Sequence, residues 1–87
     1  MSKIAFAEDA WEEYLYWQTQ DRKTLKKINA LLHDLQRSPF SGMGKPERLK
    51  EDQSGKWSRR INEKDRLVYS VEGDIIMIYE CKGHYGA

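Results

Sequence analysis

Leu67-Val68-Tyr69-Ser70-Val71-Glu72-Gly73-Asp74-Ile75-Ile76-Met77-Ile78-Tyr79 sets the fold class. Leu67, Val68, Tyr69 and Val71 read as one strand, Ile75 to Tyr79 as a second apolar strand, and Glu72-Gly73-Asp74 as the connection. Strands joined this tightly pair antiparallel. Upstream, Glu63-Lys64-Asp65 forms another turn. Before it, Trp57, Arg59 and Ile61 alternate with Ser58, Arg60 and Asn62 at a period of two. Arg48-Leu49-Lys50 adds a short segment, with Ser54-Gly55 as its turn. The C-terminal half is therefore a meander of three or four antiparallel strands.

Further upstream the period changes to that of a helix. Leu25, Ile28, Leu32 and Leu35 form an apolar stripe on a helix running from Asp21 to about Arg37, which Pro39 halts. His33 lies on it as a surface residue. A preceding helix, about Asp9 to Gln18, has acidic residues at its start and places Trp11, Tyr14 and Leu15 on one face. Its aromatic side chains suit core or dimer contacts. Lys3 to Ala7 alternates as a short strand. Phe40 to Pro46 is a loop by composition. It is also a plausible phosphate-approach surface, because glycine lets backbone amides come near an anion, although it does not match the P-loop. The expected fold is α+β: an N-terminal strand and an antiparallel two-helix hairpin packed on an antiparallel meander.

Residues 1–87 form a single domain near the lower size limit for folding without staples. Hydrophobic residues are 39% and charged residues 33% of the chain, a globular and not a disordered mix. The single cysteine excludes an internal disulfide. No run is apolar enough to span a bilayer, and the N-terminus lacks a signal-peptide core, so a cytoplasmic protein without membrane contact is expected. The net charge of +1 hides an asymmetry. Residues 37–66 carry nine Lys/Arg against five Asp/Glu, whereas both flanking segments are net acidic. That local positive field suits an anionic polymer as well as it suits an ordinary solvated surface.

Two histidines and one cysteine without paired spacing make a poor zinc site, so no metal or other cofactor is expected. No G-x-S-x-G elbow is present. Cys81 and His84, three apart on a strand, would face opposite ways, which leaves Cys81 as a structural residue. The remaining polar candidates lie in or beyond the basic segment. They are Glu47, Arg48 and Lys50 after the glycine loop, Arg59 and Arg60 on the next strand, Arg66 opening another, and His84-Tyr85 near the end.

Gly44-Lys45-Pro46-Glu47-Arg48-Leu49-Lys50, Trp57-Ser58-Arg59-Arg60-Ile61, Asp65-Arg66-Leu67-Val68-Tyr69 and Cys81-Lys82-Gly83-His84-Tyr85 together resemble the YoeB/Txe family of toxins. Tyr14-Leu15-Tyr16-Trp17, Lys26-Lys27-Ile28-Asn29 and Ser38-Pro39-Phe40 extend the match over essentially the whole chain. The family belongs to the RelE/ParE superfamily, so the resemblance implies a RelE-like microbial RNase fold. It also implies ribosome-dependent cleavage of mRNA in the A site and neutralisation by a YefM-type antitoxin. It places the catalytic roles on Glu47, Arg66, His84 and Tyr85. RNA-contacting roles fall on Lys50 and Arg60, with Lys45, Arg48 and Arg59 beside them. Three positions depart from the family pattern: Arg48 replaces a second proline, Gly83 replaces a bulkier residue, and Gly86-Ala87 follow the terminal tyrosine.

These groups suit metal-independent RNA cleavage. RNA carries its own nucleophile, the 2′-OH, so the protein needs a base, an acid and positive charge for the phosphorane. Glu47 supplies the base if it is desolvated, since an unperturbed Glu titrates near 4.3. His84 supplies the acid, and the Arg66 fork clamps phosphate oxygens. Tyr85 can stack on a base or donate to a phosphate. Two other classes fit less of the pattern: a non-catalytic toxin binding a protein such as gyrase, and an RNA- or ribosome-binding module without chemistry. A homodimer is left open.

Overall fold

The computed structural model describes residues 2–50 and 55–83. The strand β1 (Lys3–Phe6) leads into helices α1 (Glu8–Gln20) and α2 (Arg22–Arg37). Strands β2 (Glu47–Arg48), β3 (Trp57–Arg60), β4 (Arg66–Glu72) and β5 (Ile75–Glu80) follow. One residue makes the helical hairpin. The Asp21 amide donates to Trp17 O and closes α1, and its carboxylate accepts from the Thr24 amide and hydroxyl to cap α2. The helix α2 stops at Arg37, before Pro39, as expected.

The sheet order is β1-β5-β4-β3-β2. The meander β2 to β5 is antiparallel, as the turns dictate. The strand β1 pairs parallel with β5, Lys3 opposite Ile75 and Phe6 opposite Ile78, so the complete sheet is mixed. The helical hairpin carries the chain from β1 at one edge of the sheet to β2 at the other, and the meander brings it back to β5 beside β1.

Ile61, Leu67, Tyr69, Ile76 and Ile78 line the sheet face that packs on Ala10, Trp17, Ile28, Leu31 and Leu35. Two helical stripes differ from the sequence reading. On α2 the fully buried line is Ile28, Leu31 and Leu35, with Leu25 and Leu32 half-buried at its flanks. On α1 the buried line is Ala10 and Trp17, whereas Leu15 and Trp11 are 43% and 45% exposed. Trp17 anchors α1 to the end of β5: it is buried, and its indole donates to Cys81 O at 2.9 Å. His33 is exposed and Cys81 fully buried, as expected.

Candidate active site

Alternation along the strands sorts the polar residues between the two sheet faces. Glu47 lies opposite Ser58, Ser58 opposite Val68, and Arg60 opposite Arg66. These side chains therefore share the face turned away from the helices. On it, Arg66 Nη1 donates to Ser58 Oγ at 2.7 Å and lies 3.5 Å from Glu47 Oε1. The Arg66 side chain is 8% exposed and that of Glu47 is 57% exposed. A nearly buried guanidinium thus points its edge at an open carboxylate. The exposed Arg60 stands directly across from Arg66 on the neighbouring strand. Like charges opposite one another are unfavourable in a sheet by themselves, and an anion bound between them would relieve the repulsion.

Arg59 departs from its expected place at the RNA. It occupies an inward position of β3 and is fully buried. Its guanidinium donates to Asp34 at 2.7 Å, to the carbonyls of Met43 and Ser41 at 3.2 and 2.9 Å, to the Ser38 carbonyl, and through Nε to Tyr69. An arginine with every edge committed to the protein interior is a scaffold for the loop.

The glycine loop is tied to that interior. Its carbonyls turn inward to the buried cation, and its Met43 amide donates to Asp34. Gly44 is glycine for packing: at φ 78°, a Cβ there would lie 2.9 Å from Arg60 O and 3.0 Å from Leu31 Cδ2. The Arg59 hydrogen bonds, followed by the Met43 amide, hold the Asp34 carboxyl below its ordinary value. Burial raises the Tyr69 phenol, and its hydroxyl donates to Pro39 O.

Arg48 faces away from Glu47, its neighbour on β2. It pairs with Trp57, its guanidinium carbon 6.0 Å from the indole, and Phe40 packs on the same ring system. Lys45 and Lys50 are exposed on either side of β2. The structure thus joins Glu47 with Arg66 and sets Arg60 alongside. It leaves Arg48, Lys45 and Lys50 around the rim and withdraws Arg59.

His84 and Tyr85 lie outside the described residues, as do Ser54, Gly86 and Ala87. The backbone leading to His84 is nevertheless fixed. Glu13 accepts from the Cys81 and Lys82 amides at 2.7 and 3.1 Å, and Asp65 accepts from the Gly83 amide at 3.0 Å. Asp65 immediately precedes Arg66, so one turn holds both the guanidinium and the start of the terminal segment. Burial raises the Glu13 carboxyl above its ordinary value, although the two amides oppose the shift. The Cys81 thiol is pushed up to about 12 by burial and by the nearby Glu13 and Asp65 charges, so it is no nucleophile.

Sequence reasoning overlooked Ser58, Asp34, Glu13 and Asp65. For Ser58 a signal existed, two residues before Arg60 on the same strand face. The other three hold backbone groups distant in sequence, which no local pattern records.

Two helices on one face of a five-stranded mixed sheet give this chain a RelE/YafQ-like fold. The crystal structure of Escherichia coli YafQ has this fold, with a TM-score of 0.70 at 15% identity over 95% of this chain and 93% of that one. At that identity the likeness is of fold alone. The sequence model for the YoeB-like toxin of bacterial type II toxin–antitoxin systems matches residues 6–85, and the chain belongs to that family. It is 52% identical to the toxin YoeB of Escherichia coli K12 over 83 residues, 95% of this chain and 99% of that one. A YoeB dimer from Staphylococcus aureus shares 47% identity at a TM-score of 0.89, covering 97% of this chain and 98% of that one. The toxin in a heterotetrameric YoeB–YefM complex from the same organism has a TM-score of 0.89 at 46% identity, over 98% and 99% of the two chains.

Proposed function

We propose that this toxin is a ribosome-dependent endoribonuclease that cuts mRNA in the A site by metal-independent acid–base chemistry and so halts translation. The observation that carries the reading is the Glu47–Arg66 pair at 3.5 Å on the open sheet face, with Arg60 across from it. In this reading Glu47 removes the 2′-OH proton and the 2′-oxygen attacks phosphorus. The phosphorane charge falls on Arg66, whose orientation Ser58 maintains. His84 delivers a proton to the departing 5′-oxygen, leaving a 2′,3′-cyclic phosphate and a 5′-hydroxyl. Tyr85 stacks on a base beside the break. The more exposed Arg60, Arg48, Lys45 and Lys50 hold flanking phosphates. An RNA strand lying over the half-exposed Glu47 supplies the desolvation that a carboxylate base needs.

A YefM-type antitoxin is the partner that restrains this site. The net basic segment carrying Glu47, Arg60 and Arg66 offers an acidic antitoxin segment electrostatic complementarity. Self-association through α1 is supported by the exposure of Trp11, Leu15 and Tyr16, each between 43% and 45%.

Primer extension on translated mRNA tests the reading. Wild type should create new 5′ ends within translated codons. Glu47→Ala and His84→Ala should remain folded and lose about 10²–10⁴ in rate, and Arg66→Ala about 10²–10³. Undiminished cutting by folded Glu47→Ala and Arg66→Ala variants would refute it.

A further inference from the structure

The open sheet face carries a second cluster that the proposed chemistry does not use. Tyr79 is the extra residue of a β-bulge: Val68 pairs with Glu80 and Tyr69 with Ile78, leaving residue 79 without a partner. Bulges of this kind re-aim a side chain and concentrate beside functional sites. The Tyr79 hydroxyl is within hydrogen-bonding distance of Ser70 Oγ at 3.0 Å and donates to Glu72 Oε2 at 3.3 Å. The Lys56 ammonium sits 4.2 Å from the centroid of the phenol ring. Ser70 is 6% exposed, and its hydroxyl also donates to Glu72 at 3.0 Å, so the phenol is tethered to a rigid strand.

Lys56 immediately precedes β3, two residues before the Ser58 that holds Arg66, a step of about 7 Å along a strand. The Tyr79–Lys56 pair therefore lies on the same side of the sheet as the Glu47–Arg66 site, two residues along the chain from Ser58. We propose that Tyr79 and Lys56 form a nucleotide subsite for a single-stranded RNA segment next to the cleaved linkage; the assignment rests on the nuclease reading above. A flanking base stacks on the ring face where the ammonium now rests, and the displaced ammonium meets that nucleotide's phosphate. The occupant is RNA because the track combines cations with a fixed aromatic face, which binds any base through its π-surface. The Glu72 carboxylate, tied to Tyr79 and Ser70, keeps the phenol in place and sets the far limit of the track for a polyanion.

The test measures binding of the full chain to ribosomes programmed with an mRNA carrying a 2′-deoxy nucleotide at the cut, so that affinity is read without cleavage. Each flanking position is made abasic in turn, and an all-ribose version reports cutting. With wild type, one abasic position should weaken binding roughly five- to hundred-fold. Tyr79→Ala should lose the same factor on intact mRNA and show no further loss at that abasic position. Tyr79→Phe, which keeps the ring, should stay within a few-fold of wild type. Lys56→Ala should weaken binding and flatten its salt dependence. Equal abasic penalties for wild type and Tyr79→Ala, or unchanged affinity of Tyr79→Ala, overturn the subsite. If the all-ribose mRNA is not cut while the Tyr79-dependent penalty persists, the nuclease reading falls and the RNA subsite stands.

Discussion

Three arginines within eight residues divide between the two faces of the sheet, and strand alternation is the reason. Arg59 points into the layer between sheet and helices, whereas Arg60 and Arg66 face the other side. Arg59 serves stability: it satisfies the Asp34 carboxylate, three loop carbonyls and the Tyr69 hydroxyl. Removing one partner of such a buried pair costs about 3–5 kcal/mol. Arg59→Met should therefore lower the melting temperature by more than about 10 °C in a domain of this size. Calorimetry checks this. A variant that melts like wild type but loses RNA affinity would return Arg59 to the RNA-contacting set. Arg66→Ala should do the opposite, sparing most of the stability and removing activity.

At the scale of elements, the loop between α2 and β2 couples the helical layer to the site. Gly42 and Gly44 both have positive φ, and the Gly44 carbonyl accepts from the Arg60 amide at 2.7 Å. The loop thereby delivers Glu47 to the edge of β3. Gly44→Ala adds both left-handed strain and a clash with backbone, so a loss of about 2–3 kcal/mol is expected. Gly73, at φ 64° in the β4–β5 turn, has open space around it. Gly73→Ala should therefore cost only the conformational penalty, about 1 kcal/mol. Urea unfolding of the two variants tests the contrast, and equal losses would contradict the close approach at Gly44. The terminal segment is coupled in a similar way, since Glu13 on α1 and Asp65 beside Arg66 together fix residues 81 to 83.

For the whole molecule, stability should respond to acid in a defined window. Asp34 and Asp21 have folded values below the ordinary 3.8, Asp34 through Arg59 and Asp21 through the Thr24 amide and hydroxyl. A depressed carboxylate adds stability above its unfolded value, and that stability is lost as pH falls through the folded value. Glu13 works in the reverse sense, because burial raises it above 4.5. Its ionised form disfavours the fold, and protonation on acidification removes that penalty. Unfolding free energy should thus hold or rise slightly from neutrality down to the ordinary carboxylate range, then fall steeply below 3.8. Denaturant melts across pH check the profile. Asp34→Asn should be less stable near neutrality and lose less below 3.8; an unchanged acid limb would remove Asp34 from the account.

The chain's periodicities alone determined the two helices, the antiparallel meander and the placement of the hairpin turns, because each follows from neighbours a few residues apart. Asp21 and Pro39 bounded α2 by local backbone chemistry. The family pattern singled out Glu47 and Arg66 without coordinates. Tertiary structure alone decided that β1 adds to β5 in parallel, that Leu31 and not Leu32 centres the α2 core, and that Arg59 belongs to the interior. It also brought Glu47 within 3.5 Å of Arg66 and set Tyr79 on a bulge of β5, against Ser70 and Lys56. The physical reason is that strand register and the fit between layers depend on contacts between segments far apart in sequence. Side-chain types within one segment fix which faces it offers, but not what those faces meet.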